Sequence, residues 1–286
     1  MRSGLGLVKA KTVNIFPRVF TTLIAAQSTM PNLIHRFCFQ APIVLIAIAK
    51  FVPAMLVDVR EKFDVLGAGE LPPLDTLTTM GYVELIVAAL AIFQGNSKLV
   101  YIVTSLQYAT PLFLVRDFVG LKPMYAYVLL LHAALATVHF SRVMDIPAFL
   151  RRALYCAPIA YMGYAKLQSN IWAAVITDMH KLSPIAATTM NPSADSLETM
   201  AYIELAIVVL VMINVFPRLF NKVLAGQYMK SIILMGSVDE IKNAGAYYQF
   251  LLLFHVAIAV ALWSEIPPIP IVDQKANKAE EGKKNK

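Results

Sequence analysis

Residues 82–94 read YVELIVAALAIFQ and residues 202–214 read YIELAIVVLVMIN: two apolar runs, each with one glutamate near its start, 120 positions apart. A carboxylate in such a run must find a partner or water, because an ionised group at a bilayer centre costs at least ~2.5–3.5 kcal/mol. These runs belong to a series of apolar segments near 41–57, 80–94, 99–115, 124–140, 153–174, 200–216, 219–236 and 246–264. Several are shorter than the ~20 residues that spanning takes, so their ends would extend into flanking polar sequence. Hydrophobic residues make up 58% of the 286, and only 15% are charged, with a mean hydropathy of +0.63. A soluble domain carries roughly a quarter charged residues. The fold class expected is therefore all-α: a polytopic membrane protein with eight transmembrane helices.

The second half repeats the first. Ala41-Pro42-Ile43 with Ala49-Lys50 matches Ala157-Pro158-Ile159 with Ala165-Lys166, and Asp75…Met80 matches Asp195…Met200. Tyr82, Glu84 and Leu85 match Tyr202, Glu204 and Leu205, and Gln107-Tyr108 matches Gln227-Tyr228. The last helix of each half carries three leucines and a histidine, His132 or His255. An ordered series across four helices indicates duplication, and four spans per unit, an even number, makes the repeat parallel rather than inverted. The division expected is a basic cytosolic leader (1–40), two four-helix units (41–143 and 144–264) and a lysine-rich cytosolic tail (265–286). A further echo, Asn14-Ile-Phe-Pro-Arg against Asn214-Val-Phe-Pro-Arg, stays local. Pro42 and Pro158 fit kinks at helix starts.

Charge sets the orientation. With the N-terminus in the cytosol, inside segments hold 16 Lys/Arg and outside loops six, while Lys50, Lys166 and Lys230 lie within helices. An inside excess of basic residues favours both termini cytosolic. The long loops 57–79 and 167–199, which hold most of the acids, would then lie outside. The net charge of +7 fits this bias rather than nucleic-acid binding, because the basic residues form no patch with interleaved aromatics. No acidic residue precedes Asp58, which leaves a mitochondrial inner-membrane location as the alternative.

Each unit offers a lysine, a glutamate, a glutamine and a histidine in successive helices: Lys50, Glu84, Gln107 and His132, then Lys166, Glu204, Gln227 and His255. Lys50 with Glu84, and Lys166 with Glu204, are the expected ion pairs. Such pairs can hold helices in register, with Gln and His adding interhelical hydrogen bonds, or can meet a ligand, a proton or a partner. Taken alone, the histidines read as core residues, and a bis-histidine haem would need the two units to face each other. Cys38 and Cys156 read as buried thiols, since no C-x-x-C or Cys/His cluster accompanies them. The sequence holds no G-x-S-x-G, H-E-x-x-H, P-loop or G-x-G-x-x-G, so no enzyme, cofactor or metal is expected.

Lys50-Phe-Val-Pro53, Gly81-Tyr-Val-Glu84 and Tyr127-Val-Leu-Leu-Leu-His132 together resemble the DoxX-like four-helix membrane family, in the branch of the nicotinic acetylcholine receptor chaperone. The resemblance covers most of 41–140 and, more faintly, 153–264. Members have one four-helix unit; here Lys166-Leu-Gln-Ser169 lacks the proline and Ala201-Tyr-Ile-Glu204 lacks the glycine. The first unit is thus the better candidate for an inherited role, and the second would replace a dimer partner. The branch implies an endoplasmic-reticulum assembly factor whose clients are membrane proteins such as receptor subunits. Bacterial relatives imply quinone-coupled oxidation, which would need a redox centre. The alternatives are therefore a quinone-linked or small-molecule-binding redox subunit, or a parallel-repeat transporter. The terminal Lys283-Lys284-Asn285-Lys286 resembles a KKxx retrieval signal read by coat proteins. Five lysines among the last 12 residues also fit a solvated tail.

Overall fold

The structure, a computed structural model, describes residues 33–66, 72–93, 97–115, 120–183, 193–234, 238–243 and 245–264. Lys283, Lys284 and most of the basic leader lie outside the described residues. Within them the chain is all-helical, with no strand. Helix α1 (Leu33–Ala49) is followed by α2 (Pro53–Leu66), α3 (Leu74–Phe93), α4 (Lys98–Leu114) and α5 (Pro123–Phe140). The second half runs α6 (Ala148–Leu167), α7 (Ser169–Leu182), α8 (Ala194–Met212), α9 (Pro217–Leu234), the short α10 (Val238–Asn243) and α11 (Ala246–Ser264).

By length and composition, α3, α5 and α11 can each cross a membrane, and α1 with α2 would make a fourth span if that bent pair counts as one. The others carry too much charge or run too short. Helix α8 holds Asp195, Glu198 and Glu204 within its 19 residues, and α4 is 17 residues long.

The first apolar run does not extend as one helix to residue 57. Helix α1 stops at Ala49, and the chain turns by 107° into α2. Pro53 opens α2, where the lost N–H has no intrahelical partner to miss. The segments expected as long loops, 57–79 and 167–199, instead contain α2 and α7, each 14 residues long. Ser169 opens α7 without a proline, after Gln168 takes an extended conformation and its N–H returns to the Ala165 carbonyl. Pro42 and Pro158 likewise sit inside α1 and α6 rather than at their starts. Of the two thiols, Cys156 is buried and Cys38 only half-buried.

Helices α5 and α11 form the centre. About two-thirds of each lies inside the molecule (67% and 61%), against 22% for α3, which is peripheral. They touch each other, and the short helices cross between halves: α2 packs on α11, α7 packs on α5, and α2 meets α7. Lys62 Nζ donates to the Lys181 carbonyl at 2.7 Å across that last contact. Asp58 on α2 accepts the N–H of Tyr247 at 3.1 Å, satisfying one of the free donors at the start of α11. The chain enters α11 through Gly245 at φ +84°, a left-handed conformation that glycine adopts at no steric cost.

Candidate functional site

Within each half the first and second long helices approach closely at a pair of small residues. On α3, a Cβ on Gly81 would stand 3.2 Å from the Ala47 carbonyl of α1 and 2.9 Å from the Phe51 ring. On α6, a Cβ on Gly163 would stand 3.4 Å from the Ala201 carbonyl of α8 and 3.1 Å from Leu205 Cγ. The glycine has changed sides: the first crossing pairs Ala47 with Gly81, the second Gly163 with Ala201. The alanine at 201 therefore does not widen its crossing, because position 163 supplies the missing space.

Close crossings let short polar contacts form between these helices. Lys50 Nζ donates to Glu84 Oε1 at 2.5 Å, and Lys166 Nζ donates to Glu204 Oε1 at 2.5 Å. The structure thus joins each expected lysine to its glutamate. The two sites differ in closure: the side chains of Lys166 and Glu204 are 6% and 3% exposed, those of Lys50 and Glu84 10% and 16%. Lys166 also lies 5.7 Å from the Trp172 ring centroid, a cation–π contact supplied by α7.

The third helix adds a residue to which the sequence gave no partner. Lys230 on α9 donates to Glu204 Oε1, the oxygen that also takes Lys166, and lies 3.4 Å from Gln227 Oε1. The second site therefore holds two ammonium groups and one carboxylate. Its signal was the spacing of Gln227 and Lys230, three residues apart and so on one helix face. In the first half the corresponding pair is Gln107 and Thr110, and the Thr110 hydroxyl bonds back to the Leu106 carbonyl. Gln107 Oε1 is buried without a hydrogen-bond partner among the described residues, as are the second oxygens of Glu84 and Glu204.

The third helices are anchored alike. Tyr108 donates to the Phe39 carbonyl at 2.8 Å, and Tyr228 to the Tyr155 carbonyl at 2.6 Å.

The two histidines lie on the central helices. His255 Nδ1 lies 2.6 Å from the Leu251 carbonyl, which can only accept, so Nδ1 carries the hydrogen. Nε2 then accepts from the Tyr127 hydroxyl at 2.6 Å. His132 Nδ1 donates to the Tyr108 carbonyl at 3.0 Å, and its ring packs edge-on against Phe254 with centroids 4.6 Å apart. Both nitrogens of His255 are thus engaged, an arrangement that leaves neither for an iron.

One further buried group was not legible beforehand. His139 stacks on Tyr108 with centroids 5.5 Å apart and lies near Phe39 and Tyr101, while Arg142 sits over both of those rings. Neither ring nitrogen of His139 has a hydrogen-bond partner among the described residues. No group of three or more His, Cys, Asp or Glu able to hold a metal occurs among the described residues.

Compared with known proteins, the chain matches no family model, no curated protein and no solved structure.

Proposed function

We propose that the chain is an eight-span membrane protein of two parallel four-helix units that assists the assembly of other membrane proteins, ligand-gated channel subunits among them. Both termini lie in the cytosol and the protein resides in the endoplasmic reticulum, held there by coat proteins that read Lys283 and Lys284. The matched contacts of the two halves support the repeat: Lys–Glu pairs, a glycine–alanine crossing, and a tyrosine on each third helix bonded to a first-helix carbonyl. The eight spans would be α1, α3, α4, α5, α6, α8, α9 and α11. Lys50, Lys166 and Lys230 direct their charges at Glu84 and Glu204 rather than at lipid.

The observation that carries the functional reading is the Lys50–Glu84 pair. Its side chains are somewhat more exposed than those of its counterpart, 10% and 16% against 6% and 3%, and the second oxygen of Glu84 is buried with no hydrogen-bond partner among the described residues. An unassembled membrane helix exposes polar side chains that find no partner in lipid. A polar pair at the edge of the molecule, between the end of α1 and the peripheral α3, would satisfy them until the client's own partner arrives. The chemistry needed is hydrogen bonding and charge, with no bond made or broken.

Affinity capture from native membranes tests this. The tagged protein is expected to recover membrane proteins at substoichiometric levels, and Glu84→Gln to recover fewer. Recovery of no membrane-protein client by the unaltered chain would end the reading. For the address, Lys283→Ser with Lys284→Ser is expected to release the protein from the reticulum, whereas a mitochondrial location of the intact chain would contradict it.

A further inference from the structure

The second half shows what the first half's polar site is built to hold. In α9, Gln227-Tyr228-Met229-Lys230 aligns with Gln107-Tyr108-Ala109-Thr110 in α4, with glutamine and tyrosine shared. Tyr228 and Tyr108 make the same bond to the first helix of their half, so the two third helices present these four residues in the same register. Lys50 answers Glu84 as Lys166 answers Glu204, at the same distance. One group differs. The second site contains a second ammonium, that of Lys230, on Glu204 and beside Gln227. The first site has threonine at that position, and Gln107 Oε1 is buried with no hydrogen-bond partner among the described residues.

We infer that the Lys50–Glu84–Gln107 site binds an ammonium group that enters from the membrane side past Thr110 and takes the place Lys230 fills in the other half. Glu84 and Gln107 Oε1 are its acceptors. Glu84 Oε1 takes one lysine where Glu204 Oε1 takes two, so an acceptor position used in the second half is unused in the first, while Oε2 lacks a partner among the described residues in both. The buried amide oxygen has lost water and gained nothing in return. Bound ammonium brings the site to the charge its counterpart already has, two cations against one anion. The route in follows from exposure. The Lys230 side chain is 31% exposed while the Glu204 it reaches is 3% exposed, so the lysine stem runs from the molecular surface inward. Thr110 is exposed, short and bonded to its own helix, so its side chain does not take the path that Lys230 takes in the other half. A lysine on a neighbouring transmembrane helix has the needed chemistry and arrives from the needed side; a free small amine has the same chemistry.

This inference rests on the reading that the pairs lie within the membrane, and its test separates the two. The full-length protein in lipid nanodiscs is titrated with a fluorescent oligoleucine transmembrane peptide carrying one central lysine, with an all-leucine peptide as control. The lysine peptide is expected to bind at least tenfold more tightly. Thr110→Lys, which supplies the chain's own ammonium at an exposed position, should abolish that preference, while Thr110→Met controls for bulk and should leave it. Lys230→Thr should raise the stoichiometry from one lysine peptide to two. A preference that survives Thr110→Lys overturns the inference, as does equal binding of both peptides with no butylammonium binding. Butylammonium binding that Thr110→Lys blocks, without peptide binding, keeps the site and removes the assembly role. Native clients that are still captured by Thr110→Lys keep the assembly role and show that the ammonium site is not what holds them, which overturns a client lysine as its occupant.

Discussion

Tyr127 on α5 and His255 on α11 meet at 2.6 Å, phenol O–H to Nε2, and so tie the central helix of one half to that of the other. The pairing is one-sided. The rings that α11 sets beside His132 are those of Phe254 and Phe250, with centroids 4.6 and 6.3 Å away, and neither offers a hydroxyl. Tyr127→Phe would leave Nε2 buried without a donor, at a cost of about 1–3 kcal/mol. Thermal unfolding in detergent should show a lowered midpoint, with helix content unchanged at low temperature. An unchanged midpoint would mean that the two halves do not depend on this bond.

The two carboxylates should respond unequally to neutralisation. Glu204→Gln leaves Lys166 and Lys230 facing each other without an anion, and breaking a buried ion pair costs about 3–5 kcal/mol. Glu84→Gln strands one lysine in a more open site and should cost less. Unfolding midpoints of the two variants, with Glu204→Gln/Lys230→Met as a partial rescue, check the order.

The crossings make a prediction about glycine. Gly81→Ala places a methyl 2.9 Å from Phe51 Cζ and 3.2 Å from a backbone oxygen. The ring can swing away but the carbonyl cannot, so overpacking of about 1–3 kcal/mol is expected. Gly226→Ala meets nothing within 4 Å and should be neutral or stabilising by up to ~1 kcal/mol through helix propensity. Equal effects at the two positions would remove the close crossing as a constraint.

Much of this was written in the chain, and the parts that were not have physical reasons. The Lys50–Glu84 and Lys166–Glu204 pairs were legible because an apolar run tolerates a charge only when something answers it. Lys230 was visible as a lysine within a helix, but its target depends on how α9 rotates against α8, which spacing alone does not give. The short helices are hard to read from the sequence because their polar content resembles that of a loop. Helix α2 carries Asp58, Arg60, Glu61 and Lys62. Helix α7 nonetheless shows a buried stripe of Trp172, Val175, Met179 and Leu182 at helical spacing, a signal strong enough to have placed it. The crossing of α2 and α7 between halves is a tertiary choice that no local pattern records. The glycine at 163 looked like the loss of one at 201, since the pair that matters spans two helices.

The contact from α2 to α11 is open to test on its own. Asp58 serves the start of a helix far away in sequence, and removing such a cap costs about 0.5–2 kcal/mol. Asp58→Ala should speed amide exchange at residues 246–249 and leave α3 unaffected. Uniform exchange across α11 in both forms would show that Asp58 does not hold this end.

Everything proposed for the polar sites depends on their lying within the bilayer, between loops that alternate sides. In a chain with Cys38 and Cys156 replaced by serine, single cysteines at Pro73, Ser193 or Asp145 report the side directly. Sealed microsomes, cytosolic face outward, are treated with a membrane-impermeant maleimide. Asp145→Cys should label in intact vesicles, while Pro73→Cys and Ser193→Cys should label only after permeabilisation. Labelling of all three in intact vesicles would contradict the membrane placement of Glu84 and Glu204.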